Sequence, residues 1–228
     1  MDRSIITRRD IIKAGLATGA VGMMGFALSA CSSAAAPTQN ATGGGSGMTA
    51  DQAMQSDIAI LNVAIGLEMQ AVWAYTTAAG TGKLNGDDAL TTMVRNLALQ
   101  NADDHKQHGD ALAAAVRSMG GTPTAAKSDY MDGVKPYMDR GEGNLDSLVN
   151  IAKLALALET DAALAYQQNV PKLSTEALRM TGTSILPDES AHAAAIRALL
   201  AQAGVSINRI VASTFITPAT RDAWILKV

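Results

Sequence analysis

The chain has 228 residues, enough for one compact domain with extensions, since domains commonly run to about 100–200 residues. Aromatic residues make up only 4% of it while Ala, Leu, Ile, Val and Met dominate, which favours close-packed helices over sheet. A formal net charge of −3 gives no basic surface for nucleic acid, and the single cysteine, Cys31, excludes an intramolecular disulfide.

Residues 1–30 have the layout of an export signal rather than of a folded segment. Arg8 and Arg9, followed by two aliphatic residues and Lys13, precede an apolar run over residues 14–30. The paired arginines resemble the twin-arginine export motif, which a receptor recognises and which does not itself anchor a protein. An ordinary secretory signal that happens to contain two arginines is the alternative.

Cys31 ends a Leu-Ser-Ala-Cys sequence that resembles a bacterial lipobox, in which the cysteine is acylated and becomes the mature N-terminus. We therefore expect a lipoprotein of the cell envelope, exposed to the periplasm and anchored in the outer membrane of a Gram-negative host. A soluble protein cut by ordinary signal peptidase near residues 34–36 is the alternative. Residues 31–50 are expected to form a lipid-anchored flexible linker, because their Gly/Ser-rich stretch cannot bury enough apolar surface to order itself.

Apolar residues then recur at helical spacing, which predicts four helices in two pairs. Asp87 follows an Asn-Gly turn and is the candidate N-cap of the second helix. Pro187 lies inside the fourth helix and is expected to kink it or split it in two. The predicted helices cover about residues 51–79, 87–119, 145–168 and 174–203.

The lengths of the connections predict how these helices are arranged. Short links lie within each pair, whereas residues 121–144 form one long connection between the pairs. This pattern predicts an all-α four-helix bundle, made of two helical hairpins joined by a long crossover, over residues 51–204. Residues 205–228 are predicted to be a C-terminal extension that packs on the bundle, with Trp224 as its apolar contact.

Glu68 and Glu159 occupy equivalent places in an internal repeat. The segments LEMQAVWAY at 67–75 and LETDAALAY at 158–166 share their Leu-Glu start and their Ala-x-x-Ala-Tyr end, and each begins on the first helix of a pair. Each glutamate continues a stripe of apolar positions, so its carboxylate points into the seam between helices. A buried carboxylate without a partner is unfavourable, so a metal ion, a proton or a hydrogen-bonding partner must compensate both.

Two further motifs lie on the second helix of each pair. His105 with His108, and Glu189 with His192, are separated by three residues, so each pair shares one helical face. The chain contains three histidines, and all three belong to these motifs. Carboxylates combined with imidazoles suit iron or manganese, so we expect a metal site. A hydrogen-bonded polar core without metal is the alternative.

One glutamate on each of two helices, with Glu-x-x-His on each of the other two, resembles the di-iron signature of the ferritin-like superfamily, which includes bacterioferritin and rubrerythrin. The resemblance covers about residues 51–203 and implies a ferritin-like bundle that binds two iron ions, with manganese as an alternative. The metal ligands that it implies are Glu68, His105, His108, Glu159, Glu189 and His192.

His105 departs from the pattern of the superfamily, because it stands where the first Glu-x-x-His has a glutamate. That glutamate usually bridges the two metal ions, whereas a neutral imidazole ordinarily binds one ion through one nitrogen. The centre would hold three glutamates and three histidines, with one negative charge fewer. Two ions, a single ion or a differently bridged pair therefore stay open.

Four residues beside the motifs are candidates for supporting roles. Asp104 and Asp188 precede His108 and His192 by four residues and could accept the second N–H of a ligand histidine; solvent-facing acids are the alternative. Tyr75 and Tyr166 follow the two repeat glutamates by seven residues, on the same helical face. In ferritin-like proteins such tyrosines bond to metal carboxylates or pass electrons; apolar core packing is the alternative.

The resemblance implies an oxidoreductase of the ferroxidase or peroxidase type, whose partners are metal ions and dioxygen or peroxide. A non-catalytic periplasmic metal-binding protein is the second hypothesis, and a metal-free structural bundle is the third. The partners expected besides these are the membrane, through lipidated Cys31, and a second copy in a homodimer; no nucleic acid is expected. A lipid tether suits a monomer or dimer better than a hollow cage.

Overall fold

A computed structural model of the protein describes residues 48–211 and 217–228. The predicted export signal, Cys31 and most of the predicted linker therefore lie outside the described residues. Within the described ranges the protein is helical and has no strand. The helices are α1 (Ala50–Gly80), α2 (Ala89–Ser118), α3 (Met131–Asp139), α4 (Leu148–Asn169) and α5 (Glu176–Gln202), with short 3₁₀ turns at Val170–Lys172 and Arg221–Ala223.

Each of the four long helices begins at a side-chain cap. The cap accepts a hydrogen bond from a backbone N–H of the first turn, which would otherwise lack a partner. At α2 the cap is Asp88, whose Oδ1 accepts from Thr91 N at 3.0 Å, so the predicted cap Asp87 is wrong by one residue. The four capping residues are Thr49, Asp88, Ser147 and Thr175.

The bundle consists of two antiparallel hairpins. Helix α1 packs along α2, and α4 packs along α5, while α2 against α5 and α1 against α4 join the hairpins. This confirms the predicted all-α four-helix bundle of two hairpins joined by a long crossover. The crossover was predicted only as a connection, but it contains the nine-residue helix α3, which packs on α1 and α4.

Helix α5 runs without interruption through Pro187, so of the two predicted effects, a kink or a split, the split is wrong. A proline inside a helix leaves the carbonyl four residues earlier without its usual donor. Here Pro187 and Thr183 are both exposed, so water can satisfy that carbonyl. The unbroken helix keeps Glu189 and His192 in one register.

Helix α1 places a buried carboxylate between two apolar clusters. Leu61 and Ile65 lie buried on one side of Glu68, and Tyr75 lies buried on the other. The outer face of the helix is also apolar, and Val63 is 64% exposed. By length and composition alone α1 could cross a membrane, since its most apolar window has a mean hydropathy of 1.4. In the structure it is a bundle helix whose inward face carries a polar side chain.

The C-terminal extension is held to the bundle by ion pairs. Arg221 donates to both carboxylate oxygens of Glu142 at 2.8 Å and to those of Asp161 at 2.6 and 2.9 Å. Glu142 lies in the crossover and is only 1% exposed. Trp224 lies under the guanidinium of Arg197, which also donates to the Trp224 carbonyl at 3.0 Å. These contacts tie the extension to the crossover, α4 and α5.

Candidate metal centre

The four long helices each contribute to one buried cluster in the middle of the bundle. All six residues that the sequence nominated as ligands lie in it, and their exposed fractions range from 0% to 9%. Helix α1 supplies one glutamate, α2 two histidines, α4 one glutamate, and α5 a glutamate and a histidine. The cluster is Glu68, His105, His108, Glu159, Glu189 and His192.

The cluster divides into two groups that share two residues. In each group, four possible ligand atoms lie within 4.8 Å of one another. The shared residues are His105 and Glu189, which stand between the groups. Site A is Glu68, His105, His108 and Glu189, and site B is His105, Glu159, Glu189 and His192.

His105 directs one ring nitrogen toward each site. Its Nδ1 lies 2.8 Å from Oε2 of Glu68, and its Nε2 lies 3.1 Å from Oε1 of Glu159. The ring thus spans the space between the two unshared glutamates. This is the place at which a bridging side chain would stand, although an imidazole rather than a carboxylate occupies it.

Glu189 directs one carboxylate oxygen toward each site. Its Oε1 lies 3.2 Å from Nδ1 of His108 in site A, and its Oε2 lies 3.9 Å from Nδ1 of His192 in site B. The two unshared histidines therefore both turn Nδ1 inward. Glu189 and His105 are therefore shared by two similar sites.

Two tyrosines hold the unshared glutamates. Tyr75 on α1 donates its hydroxyl hydrogen to Oε1 of Glu159 on α4, and Tyr166 on α4 donates to Oε1 of Glu68 on α1. Each tyrosine therefore contacts the glutamate of the other hairpin, not the one that precedes it in sequence. Each bond leaves the second carboxylate oxygen directed to the cluster.

Two aspartates hold the unshared histidines in the same crossed manner. Oδ2 of Asp104 lies 3.3 Å from Nε2 of His192, and Oδ2 of Asp188 lies 3.6 Å from Nε2 of His108. Sequence spacing placed each aspartate four residues before one histidine, but each reaches the histidine of the other hairpin. The hydrogen bond to Asp104 favours the tautomer of His192 whose Nδ1 is free to bind a metal ion, whereas Asp188 lies at ion-pair distance from His108.

Asn101 belongs to the site, and the sequence reasoning missed it. It is 1% exposed, and its Nδ2 donates to the hydroxyl oxygen of Tyr75 at 2.9 Å. A signal was present, because Asn101 precedes His105 by four residues and therefore lies on the same inward face of α2. The asparagine fixes the orientation of the hydroxyl that holds Glu159.

The sequence of the helical bundle matches a known protein family. The sequence profile of the ferritin-like domain family matches residues 56–202, which contain the whole cluster. The chain belongs to this family. The match spans more than half of the chain and includes all four long helices of the ferritin-like domain. No curated protein sequence matches the chain.

Solved structures similar to this ferritin-like domain share its fold. They include a ferritin-like, diiron-carboxylate protein from Bacillus anthracis, with 18% identity, 67% of this chain and 99% of that chain covered, and a TM-score of 0.53. A dodecameric thioferritin, the bacterioferritin-related protein from Bacteroides fragilis, has 19% identity, 66% and 88% coverage, and a TM-score of 0.52. A conserved hypothetical protein from Mycobacterium tuberculosis has 19% identity, 64% and 98% coverage, and a TM-score of 0.51.

The histidines of the ferritin-like domain favour their protonated forms. Burial alone would lower the pKa of His108, but neighbouring carboxylates, Glu189 first among them, outweigh burial and raise this pKa to about 10. Burial likewise opposes protonation of His105 and His192, but Glu159 outweighs it, so the pKa of both imidazoles lies above the usual value. The metal-free cluster therefore holds its carboxylates through imidazolium partners.

The three glutamates differ in their protonation. Burial alone would raise the pKa of Glu68 and of Glu159, but hydrogen bonds and charges from the histidines outweigh it, so both pKa values lie below the usual one. Burial raises the pKa of Glu189 to about 8, and the charges of the other two glutamates add to this. The shared carboxylate is thus the one that keeps a proton at neutral pH.

The donor set fits a metal ion, because five buried polar atoms face one another across the cluster and, in the described part of the chain, make no well-aligned hydrogen bond, only ion-pair contacts such as that of His192 Nδ1 with Glu159 Oε2 at 3.3 Å. A buried polar atom without a partner is unfavourable and rare in folded proteins. Oxygen and imidazole nitrogen are the ligand types that suit iron, manganese and zinc. The atoms are Nδ1 of His108, Nδ1 of His192, Oε2 of Glu159 and both carboxylate oxygens of Glu189.

Proposed function

We propose that this ferritin-like domain binds two iron ions, one in site A and one in site B, and reacts with dioxygen or peroxide. The observation that carries the proposal is that two groups of four buried ligand residues, drawn from all four long helices, each bring their ligand atoms within 4.8 Å of one another. Manganese in both sites, or a single ion shared between them, are the variants that the donor set also admits.

Bound iron would supply one-electron redox chemistry toward dioxygen or peroxide, of the ferroxidase or peroxidase type. The protein's own groups hold and orient the ligands. Burial raises the pKa of Tyr75 and of Tyr166 well above the usual value, so both hydroxyls keep their protons and stay donors to Glu159 and Glu68. Both tyrosines contact these carboxylates directly and are the proposed electron donors to the centre.

Metal content measured on the folded protein tests this proposal. We expect elemental analysis to find about two iron or manganese ions per chain in the parent. His108→Ala is expected to empty site A and His192→Ala to empty site B. Gln107→Ala, which changes an exposed neighbour of His108, is the matched control and should keep the full metal content.

The outcomes of this measurement separate the hypotheses. One ion per chain would mean that His105 has changed the site from a two-metal to a one-metal centre. Tight binding of zinc without oxygen-dependent colour change on addition of ferrous iron would favour a non-catalytic metal-binding protein. No transition metal under any loading condition would overturn the enzyme proposal and leave a structural bundle.

The structural alternative has one observation in its favour. His105 bonds directly to Glu68 and Glu159, so these three residues form a closed polar network without a metal ion. Such a network satisfies two of the three buried glutamates. It leaves Glu189 and the inward nitrogens of His108 and His192 with ion-pair contacts that make no well-aligned hydrogen bond, which is why we favour metal binding.

We also propose that the protein is exported through the twin-arginine route and anchored in the cell envelope through Cys31. The support is the sequence pattern around Arg8, Arg9 and the lipobox. A Cys31→Ser variant should lose incorporation of labelled fatty acid and release the protein from the membrane fraction. Arg8→Lys combined with Arg9→Lys should retain the protein in the cytoplasm, and unchanged export would indicate an ordinary secretory signal.

We propose a monomer or homodimer, on the ground that a lipid tether restricts assembly into a closed cage. Sedimentation analysis of the delipidated protein would measure the assembly directly. A dodecamer, the state named for the Bacteroides fragilis protein, would overturn this proposal.

A further inference from the structure

An apolar cavity lies beside the metal cluster, between α1 and α4 and under α3. Its volume is about 110 Å³. Its walls are almost entirely hydrocarbon, and much of the space exists because small side chains face one another across it. The alanines that line it include Ala71, Ala74, Ala78, Ala152, Ala155 and Ala162.

The inner end of this cavity is formed by the cluster itself. Glu68, His105 and Glu159 line it, together with the rings of Tyr75 and Tyr166. Glu159 is 2% exposed, and its Oε2 lies 3.3 Å from Nδ1 of His192 in site B. A molecule in the cavity would therefore lie against the residues that hold the proposed metal ions.

The outer end of the cavity lies at the surface, beneath the crossover. Leu67, which is 40% exposed, lines it, as do Trp73 of α1 and Val134 and Tyr137 of α3. Helix α3 packs on α1 at Gly133, where an added Cβ would lie 2.1 Å from the Gln70 amide oxygen, so a side chain there would require Gln70 to move. The crossover helix thus partly covers an apolar path between solvent and the cluster.

The charged group in the outer wall is engaged by the protein. The carboxylate of Asp161 accepts two hydrogen bonds from Arg221, at 2.6 and 2.9 Å. Since the rest of the lining is mostly hydrocarbon, a polar ligand would lose more hydrogen bonds to water than it could regain, whereas an apolar ligand would gain dispersion contacts.

We propose that this cavity binds a small apolar molecule, no larger than about the size of benzene, and holds it against the metal cluster. Apolar cavities only slightly larger, of about 150 Å³, stay dry and take up benzene or xenon. The binding needs no metal ion. Its role as the substrate site of an oxidative reaction rests on the proposed function.

Xenon and benzene are the probes, and the metal-free full-length chain is the sample. We expect saturable changes in the amide resonances of residues that line the cavity, such as Ala71 and Ala162, and none at Val116 in the remote apolar cluster. Uptake of xenon without benzene would restrict the ligand to a gas such as dioxygen. Uptake of both xenon and benzene would show that the cavity is large enough for a small organic molecule. Either outcome supports the proposed apolar binding site.

Ala155→Leu fills the cavity from the α4 side and should weaken uptake of both probes by about tenfold or more, since it occupies the space that they need. Ala115→Leu is the matched control: it adds the same volume at a partly buried alanine of α2 that does not line the cavity. If Ala155→Leu does not fold, Ala74→Leu fills the same space from the α1 side.

Two results would overturn the proposal. One is the absence of saturable uptake by the parent; the other is uptake that stays unchanged in the cavity-filled variant. Both are read on metal-free protein, whereas the proposed function is tested by metal content. Loss of the metal centre and loss of the apolar site are therefore separate findings.

Discussion

The metal-free cluster holds protons that a metal ion must displace, and this predicts how metal loading depends on pH. At pH 7 His108, whose pKa is about 10, and His105, whose pKa lies well above its usual value, carry protons, and the raised pKa of His192 favours its protonated form. Glu189, with a pKa of about 8, carries another. Since ligands bind metal in their deprotonated forms, filling the cluster should release about three to four protons per chain.

The number of released protons sets the size of the pH effect. Each proton changes the apparent binding constant about tenfold per pH unit, which corresponds to about 1.4 kcal/mol. The overall constant for filling both sites should therefore fall by about a thousandfold or more between pH 7 and pH 6. The sign follows from the raised pKa values, because acid keeps the ligands protonated.

Zinc is the suitable probe, because it binds the same ligand types without redox chemistry. Zinc is added to metal-free protein in weakly buffered solution, and an indicator dye reports the released protons. His108→Ala should release about one proton fewer at pH 7 than the parent, since it removes a ligand whose pKa is about 10. Gln107→Ala should match the parent. Release of fewer than about one proton by the parent, or binding that does not weaken in acid, would refute the reasoning.

Three further changes test other parts of the molecule. His105→Glu restores a carboxylate between the sites and should raise the affinity for two divalent ions by about tenfold or more, measured by metal competition, because it adds a negative charge. Asp104→Asn should lower metal affinity by about 10–100-fold although it is no ligand, because it orients a histidine; exposed Asp103, changed to Asn, is the matched control. Arg221→Gln should lower the free energy of unfolding by about 2 kcal/mol, measured in denaturant, by removing charged partners of buried Glu142.

The contact between Arg221 and Glu142 also predicts how the free energy of unfolding depends on pH. Hydrogen bonds from Arg221 and Arg140 hold the pKa of Glu142 at about 2. This contribution to stability is present above the usual carboxyl pKa of about 4.3 and is lost as pH falls toward 2. The Arg221→Gln protein should therefore lose less stability in acid than the parent does.

Each of these predictions has an outcome that contradicts it. His105→Glu with unchanged metal affinity would mean that the ring between the sites takes no part in binding. Equal affinity in Asp104→Asn and Asp103→Asn would remove the role of the crossed aspartate. Unchanged unfolding in Arg221→Gln would show that Arg140 alone satisfies the buried carboxylate.

The helical period explains what could be predicted from the sequence. Side chains three, four and seven residues apart share a face, so the inward positions of Glu68 and Glu159 followed from the apolar stripes around them. The same rule could have identified Asn101. Helix α3 was missed because Gly133 and Pro136 lie within its nine residues, and both are unfavourable in helix interiors.

Contacts between the hairpins could not be predicted in this way. They depend on how far one hairpin is shifted and rotated against the other, which side-chain packing of the whole bundle determines. Tyr75 was therefore correctly assigned to an inward face, but its partner Glu159 lies on α4. The effect of Pro187 could not be predicted from the sequence either. A helix tolerates an internal proline when water can reach the unpaired carbonyl, here that of Thr183, and this depends on how the helix packs.

The crossed contacts explain why the site requires both hairpins. Site A takes its Glu189 oxygen from the second hairpin, and site B takes its His105 nitrogen from the first, so neither hairpin contains a complete site. The contacts of the supporting tyrosines with glutamates and of the supporting aspartates with histidines also cross between hairpins. Metal binding would therefore stabilise the docked bundle over separated hairpins, by an amount that grows with the free metal concentration. The crossing pairs are Tyr75 with Glu159, Tyr166 with Glu68, Asp104 with His192, and Asp188 with His108.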